Sequence, residues 1–413
     1  MVKPTGPLCN LDCRYCFYLE KASLFACNEK WRMEPALLEH YVKSYIAAQP
    51  EGVPVTFAWQ GGEPTLCGVD FFRQAVKWQK RYAQGRTIEN AFQTNGTLLN
   101  DEWGAFLADE GFLVGLSIDG PEDIHDAYRV GRKGQGTWRE VMRGLQVLKR
   151  HRVEFNTLTC VHRRTSRKPE DVYRFLKGIG SRYLQFIPIV ERKANAPADR
   201  LGLSLAVPPP LDLAEDEVWD DPDSPVTPWS VRPADYGEFL VRIFEQWVRR
   251  DISRVFVQLF DVALGKWAGA PGGLCVFNET CGRALALEHN GDLYACDHFV
   301  YPGHRVGNVW ESDLAGLVES PRQDAFGQAK RDTLPRQCRE CDVRFACNGG
   351  CPKQRFAKTR DGDPGLNYLC AGYARIFKHM DPYLKVMAEL YHAGRPPAEI
   401  MGMLARQEVP GVR

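Results

Sequence analysis

The chain has 413 residues, more than one small core needs, so one large domain with one or two smaller ones is expected. Lys plus Arg number 53 against 52 Asp plus Glu, a balance that leaves no general electrostatic footprint for nucleic acid or an anionic membrane. No apolar run reaches the roughly 20 residues a bilayer requires, and "MVKPTGPLCN" lacks the apolar stretch of a signal peptide, which predicts a cytoplasmic protein with no membrane partner.

Along the chain, three cysteines come first: Cys9, Cys13 and Cys16 in "GPLCNLDCRYCFYLEK" (6–21). Strand-like runs follow at 53–59, 88–95, 112–119, 153–161, 182–190 and 252–260, separated by amphipathic stretches such as 69–84, 137–152 and 169–180. Repeated βα units imply a parallel sheet, either doubly wound or curled toward a barrel, and periodicity leaves both open. Residues 191–233 break the rhythm with a Pro- and acid-rich stretch that reads as a long surface insertion after a strand's C-terminal end. After about residue 272 the sequence turns to short segments punctuated by Gly and Cys, then to a helical tail at 373–393. A region this poor in apolar stripes needs a staple. The predicted division is a barrel core at 1–233, a last barrel helix and strand with linker at 234–271, a Cys-rich domain at 272–372 and a helical tail at 373–413.

Fourteen cysteines in a reducing compartment point to metal or chemistry rather than disulfides. Eleven fall into groups; Cys27, Cys67 and Cys160 stand alone and read as free thiols packed like small apolar groups. A structural zinc wants four ligands, and the first trio has no fourth Cys or His at comfortable spacing. Three thiolates suit a four-iron cluster with one iron open. Downstream, Cys275, Cys281, Cys296, Cys338, Cys341, Cys347, Cys351 and Cys370 divide into two sets of four, which as spacing alone fit zinc as well as iron.

"CNLDCRYC", with Tyr15 before the last cysteine, resembles the radical S-adenosylmethionine (SAM) enzymes. The resemblance implies a partial (β/α)6 TIM-like barrel, an α/β fold, with SAM on the open iron of a [4Fe-4S] cluster held by Cys9, Cys13 and Cys16. "WQGGEPTL" (59–66) matches the family's SAM-amino stretch and implies Gly61, Gly62 and Glu63, with Gln60 beside them. "LSIDGPEDIHDAYR" (116–129) places Ser117 and Arg129 for the carboxylate and ribose of SAM. The C-x2-C-x5-C-x3-C run resembles the SPASM extension, implying two auxiliary [4Fe-4S] clusters, one on Cys275, Cys281, Cys296 and Cys351 and one on Cys338, Cys341, Cys347 and Cys370.

"GDLYACDHFVYPGHRVGNVWE" (291–311) and "KPTGPLCNLDCRYCFYLEK" (3–21) further resemble the anaerobic sulfatase-maturating enzymes. This implies oxidation of Cys or Ser, in a sulfatase Cys/Ser-x-Pro-x-Arg motif, to Cα-formylglycine. Asp297 is then the general base, and Tyr18 lies near SAM and the target side chain. The expected partners are an unfolded sulfatase polypeptide and a flavodoxin- or ferredoxin-type reductant, under low oxygen. A SPASM maturase that forms thioether or carbon-carbon cross-links in a ribosomal peptide is the alternative; it need not keep the "CDHFVYP" context of Asp297. Only Met1 and Val2 precede Lys3, so the first strand looks short: either the true start lies upstream or the barrel opens with a stub.

Overall fold

A computed structural model describes residues 1–26, 29–209, 226–409 and 411; the lone Cys27 and the acidic stretch 211–223 lie outside the described residues. Seven strands run parallel in chain order: β1 (Val2–Lys3), β2 (Val55–Trp59), β3 (Ile88–Thr94), β4 (Leu113–Ser117), β5 (Phe155–Val161), β6 (Tyr183–Pro188) and β7 (Phe256–Val257). Helices at Pro35–Ala47, Val69–Tyr82, Asp101–Asp109, Trp138–Arg150, Pro169–Gly178 and Pro233–Arg250 follow the first six, giving six βα units. The 252–260 run is a strand for two residues only, and the helix Gln258–Trp267 begins at once. Asp261 and Lys266 fall in that helix's first and last turns, as the macrodipole favours, and Leu259, Phe260 and Ala263 form its buried face.

The outer face of the sheet buries what the sequence alternates. In β2, Val55, Phe57 and Trp59 are buried while Thr56 is exposed, a period of two that sends one face into the core. The helix Trp138–Arg150 buries Val141, Leu145 and Leu148 at spacings of four and three. At Gly144 it approaches so closely that a Cβ would strike the carbonyl of Gly96.

The sheet does not stop at β1. That two-residue stub pairs with β2 on one side and with β8 (Ala286–Glu288) on the other, and β8 continues into antiparallel β9 (Asp292–Tyr294) and β10 (Arg305–Asn308). The order is therefore β10-β9-β8-β1-β2-β3-β4-β5-β6-β7, and the C-terminal hairpin extends the barrel sheet.

The long C-terminal helix begins at Cys370 and runs to His392. It packs along Pro233–Arg250, with the backbones of Gly237 and Gly372 in contact and Glu245 accepting from Tyr383 (2.8 Å) and pairing with His379 (2.7 Å). Tyr373, Ile376 and Phe377 share one core with Leu116, Val161 and Phe244, so this helix belongs to the barrel's packing. Among the described residues, no helix is long and apolar enough to cross a membrane.

Candidate active site

The trio sits on the loop after β1, pinned at the C-terminal ends of the strands. Asp12 and Arg14 donate their backbone N–H groups to Val130 and Tyr128, beyond β4, and Arg132 reaches the carbonyl of Cys9 (2.5 Å). Asn95, just past β3, donates to Asn10 (2.9 Å) and toward Cys9 Sγ (3.8 Å). Burial pushes the Cys9 thiol up to about 12 and raises Cys13 and Cys16, with Cys16 adding to the rise of Cys9 and both Cys16 and Cys9 to that of Cys13. Ligating thiols must lose their protons, so only a strong positive centre would ionise three thiols here. A four-iron cluster fits that donor set.

The Gly-Gly-Glu stretch follows β2 and is knit to the same loop. Gln60 N–H donates to Val2 (2.9 Å), Gly62 N–H to Gly6 (2.8 Å) and Glu63 N–H to Leu8 (2.9 Å). A Cβ on Gly62 would run into the carbonyl of Leu8, which is why only glycine serves there. The Glu63 carboxylate is fully buried and faces inward. It accepts from Thr65 N (3.0 Å), Thr65 Oγ1 (2.6 Å), Thr94 Oγ1 (2.8 Å) and Asn95 N (2.7 Å), tying the end of β2 to the end of β3. What this stretch turns to a ligand is therefore backbone, with the acid as its brace.

Ser117 ends β4, buried, and its hydroxyl makes no hydrogen bond among the described residues. Arg129 is committed elsewhere: its Nε lies 3.0 Å from Asp119, and Nη2 is 3.5 Å from Cys160 Sγ. Asp119 is the buried hub that the sequence reading passed over. It accepts from Tyr15 Oη (2.6 Å) and Cys160 N (2.9 Å), and His162 Nε2 stands 4.0 Å away. Its signal was present in the quoted "SIDGP", where an acid sits just past a strand end.

Where β1 meets β8, a second cluster forms. Lys3 and Glu288 are register partners; the Lys3 ammonium pairs with Asp297 and lies 3.5 Å over the ring of Tyr18, whose hydroxyl donates to Glu288. Burial raises the Asp297 carboxyl, but Lys3 and His298 more than offset it, so the group lies below the usual carboxylate range and is ionised. Lys3 also acts on Cys16, which sets the ion pair between the trio and Cys296. Lys3, Glu288 and His298 were not singled out from sequence; "KPTGP" carried Lys3, without a partner to give it a role.

The eight downstream thiols gather as two groups. Burial pushes Cys281 up to about 11 against Lys330, with Cys351 and Cys275 adding to it, and Cys296 is raised by burial and then by Cys351. Separately, Cys338 is pushed to about 11 by burial and Cys370, and Cys347 to about 12 by burial, with Cys370, Cys338 and Cys341 adding. The structure thus brings Cys275, Cys281, Cys296 and Cys351 together, and Cys338, Cys341, Cys347 and Cys370 together. Among the described residues, no three His, Cys, Asp or Glu close on the position of a single ion. His298 Nδ1 stands 3.5 Å from Cys351 Sγ, joining the first group to Asp297. Of the lone thiols, Cys67 is buried and Cys160 borders the Asp119 hub.

A cysteine trio at the strand ends of a partial barrel, continued by a cysteine-rich hairpin module, defines a radical SAM enzyme with a SPASM extension. Residues 4–176 match the radical SAM superfamily, and residues 275–342 match SPASM, an iron-sulfur cluster-binding domain. The chain is 44% identical to a serine-type anaerobic sulfatase-maturating enzyme of Bacteroides thetaiotaomicron, over 98% of this chain and 94% of the relative. It is 31% identical to a cysteine-type enzyme of Clostridium perfringens, over 93% and 96% respectively. A solved structure of native anSMEcpe with bound AdoMet and Cp18Cys peptide superposes with a TM-score of 0.79 at 30% identity, covering 94% of this chain and 98% of that one. The chain belongs to the anaerobic sulfatase-maturating enzymes.

Proposed function

We propose that the protein oxidises a serine, and also a cysteine, within the Cys/Ser-x-Pro-x-Arg motif of an unfolded sulfatase to Cα-formylglycine. The observation that carries this is the half-buried, ionised Asp297, held by Lys3 between the trio and the first group of four thiols. The greater likeness to the serine-type relative supports serine as the preferred target.

Bound to Cys9, Cys13 and Cys16, a [4Fe-4S] cluster with SAM supplies a 5'-deoxyadenosyl radical that removes a hydrogen atom from an unactivated carbon. The backbone of Gln60, Gly61 and Gly62 and the free hydroxyl of Ser117 are the groups available to SAM. Glu63 braces this stretch from behind, and Arg129 acts through Asp119 on the trio loop. At the substrate, Cβ loses a hydrogen atom and the hydroxyl or thiol proton passes to Asp297; Cys275, Cys281, Cys296 and Cys351 beside it would hold an iron-sulfur cluster that would accept the one remaining electron. Serine so becomes the aldehyde directly; cysteine becomes a thioaldehyde that exchanges sulfur for water. Tyr18, fixed by Glu288 and Lys3, stands across the Lys3 ammonium from Asp297 and would limit how the side chain enters. Two auxiliary clusters on the two groups of four thiols, a flavodoxin- or ferredoxin-type reductant and a cytoplasmic setting before sulfatase export complete the reading.

The test is anaerobic turnover of paired Ser and Cys peptides with SAM and reductant, followed by mass spectrometry with a hydrazide trap. A trapped aldehyde, faster from the Ser peptide, is expected. Loss of two hydrogens with nothing trapped would overturn the reading and indicate a cross-link.

A further inference from the structure

Two cations are buried among the eight downstream thiols, Lys330 and Arg355, at 0% and 3% exposure. Lys330 stands near the end of the Pro321–Asp332 helix, which docks on the first group of four one turn earlier. There Cys281 N donates to Gly327 O (3.1 Å), and a Cβ on Gly327 would strike the Cys281 carbonyl. The Lys330 side chain donates to the carbonyls of Cys275 (2.7 Å), Val276 (3.0 Å) and Asn278. Three acceptors call for three N–H groups, and only the charged form of lysine has them.

Arg355 is set between the two groups. Asn348, Gly349 and Gly350 join Cys347 of the second group to Cys351 of the first, and all three lie in the left-handed region, at φ 46°, 72° and 64°. That turn brings two carbonyls onto the guanidinium: Nη2 donates to Asn348 (2.9 Å) and Nε to Gly349 (3.1 Å), while Nη1 donates to the carbonyl of Lys330 (2.7 Å). One cation thus holds the segment of Cys275, and the other holds the segment that both groups share. Burying a charge is unfavourable unless an opposite charge offsets it. Among the described residues neither cation forms an ion pair with Asp or Glu; every acceptor is a backbone carbonyl. Burial lowers the pKa of both, and the groups that oppose it are thiols, Cys281, Cys351 and Cys275 for Lys330 and Cys338, Cys351, Cys281 and Cys347 for Arg355.

We infer that Lys330 and Arg355 are the fixed counter-charges of the two auxiliary sites and raise their reduction potentials, Lys330 at the first group of four thiols and Arg355 at both. This rests on the reading that each group holds a [4Fe-4S] cluster. Such a cluster on four thiolates is net negative and becomes more so on reduction, so a fixed cation shielded from water favours the reduced form. In the reaction proposed above the substrate gives up its last electron, and the oxidised cluster beside Asp297 would be reduced by that one electron. The two cations act on the electron's destination and touch no substrate.

The experiment is an anaerobic potentiometric titration read by electron paramagnetic resonance. It uses the full chain carrying Cys9→Ala, Cys13→Ala and Cys16→Ala, so that only the auxiliary sites hold iron, about eight per chain. Two one-electron steps are expected in this background. Lys330→Gln should lower one of them and Arg355→Gln both, each by about tenfold or more in the reduction equilibrium, or about 59 mV. Glutamine keeps N–H donors for the carbonyls and loses the charge, so a role confined to holding the loops would leave the steps where they are. A glutamine variant with the background's potentials therefore overturns the inference. Lys330→Arg and Arg355→Lys, which keep the charge, should keep the potentials. If a glutamine variant fails to hold iron, these two decide: iron retained shows that the site needs the cation, and iron lost there as well shows a role of shape and overturns the inference. Zinc in place of iron in the background refutes the cluster reading itself, whereas two reducible steps that no substitution moves refute only this inference.

Discussion

Asp297 is the residue on which the proposed chemistry turns, and its surroundings say how a variant should behave. In Asp297→Asn the side-chain amide would still lie against Lys3, so the substitution removes the proton acceptor while leaving the seam between β1 and β8 in place. A positioned general base contributes about 10²- to 10⁴-fold. Full iron content and normal 5'-deoxyadenosine release, with formylglycine reduced about a hundredfold, is the expected result; unimpaired product would remove Asp297 from the mechanism. Around Asp119 a different behaviour is built in. His125 Nδ1 accepts from Asp119 N (3.3 Å), and His162 Nδ1 accepts from Arg164 N and Thr165 N (both 3.2 Å), so both rings are neutral with the proton on Nε2. Burial drives their protonation down to about 3 and about 4. The unfolded chain binds these protons near pH 6.5, so the stability they contribute is complete above 6.5 and is lost as pH falls toward 4. Thermal midpoints should fall from pH 7 to pH 5 by an amount equivalent to roughly 2 kcal/mol per histidine. The double variant His125→Asn, His162→Asn should start lower and fall less steeply. None of this was legible in the sequence, because a buried histidine and a surface one look alike until the strand ends that converge on it are known. The cysteines were legible, because their spacing is local.

Among the elements, β1 carries more than its length suggests. Two residues join the barrel sheet to the cysteine-rich hairpin, and they can do so because both flanking strands offer a full edge: Val2 pairs with Trp59 and Leu287, and Lys3 with Glu288. The sequence showed a short first strand but not its second neighbour, since β8 lies more than 280 residues away and pairing at that distance leaves no local trace. The same limit explains the 252–260 run, where apolar residues suited a strand and only the packing of Leu259, Phe260 and Ala263 selects the helix. The stretch after β2 shows the converse, a local motif whose strictness is steric. With Gly62 N–H bonded to Gly6 and its α-carbon against Leu8, Gly62→Ala must push the 6–9 segment, and with it Cys9, away from Cys13 and Cys16. This variant should fold, with the barrel's circular dichroism retained, yet reconstitute about four fewer irons per chain and cleave no SAM. A Gly62→Ala enzyme with full iron and SAM cleavage would mean that the loop yields without cost.

For the whole molecule, the question is whether the C-terminal thiols staple a separate module or the protein as a unit. The Cys370–His392 helix favours the unit. Its first residue belongs to the second group of four thiols, its next turns pack in one core with β4, β5 and the Pro233–Arg250 helix, and Glu245 grips it through His379 and Tyr383. Phe277, two residues past Cys275, stacks edge-on against Tyr373 and Phe377, so the first group shares the same helix. Metal bound at Cys370 would therefore fix the start of a helix that the barrel also needs, and metal binding becomes folding free energy for both. Three clusters correspond to about twelve irons per chain, and Cys370→Ala should lower this to about eight. If the module were independent, the variant would show two melting transitions, with the barrel's midpoint unmoved. The shared core predicts one transition at a lower temperature, accompanied by earlier proteolysis in both the 233–250 and 370–392 helices. Chelation of iron from the intact protein should move the same single transition further, because it also releases the trio loop that Asn95, Val130 and Tyr128 hold at the strand ends.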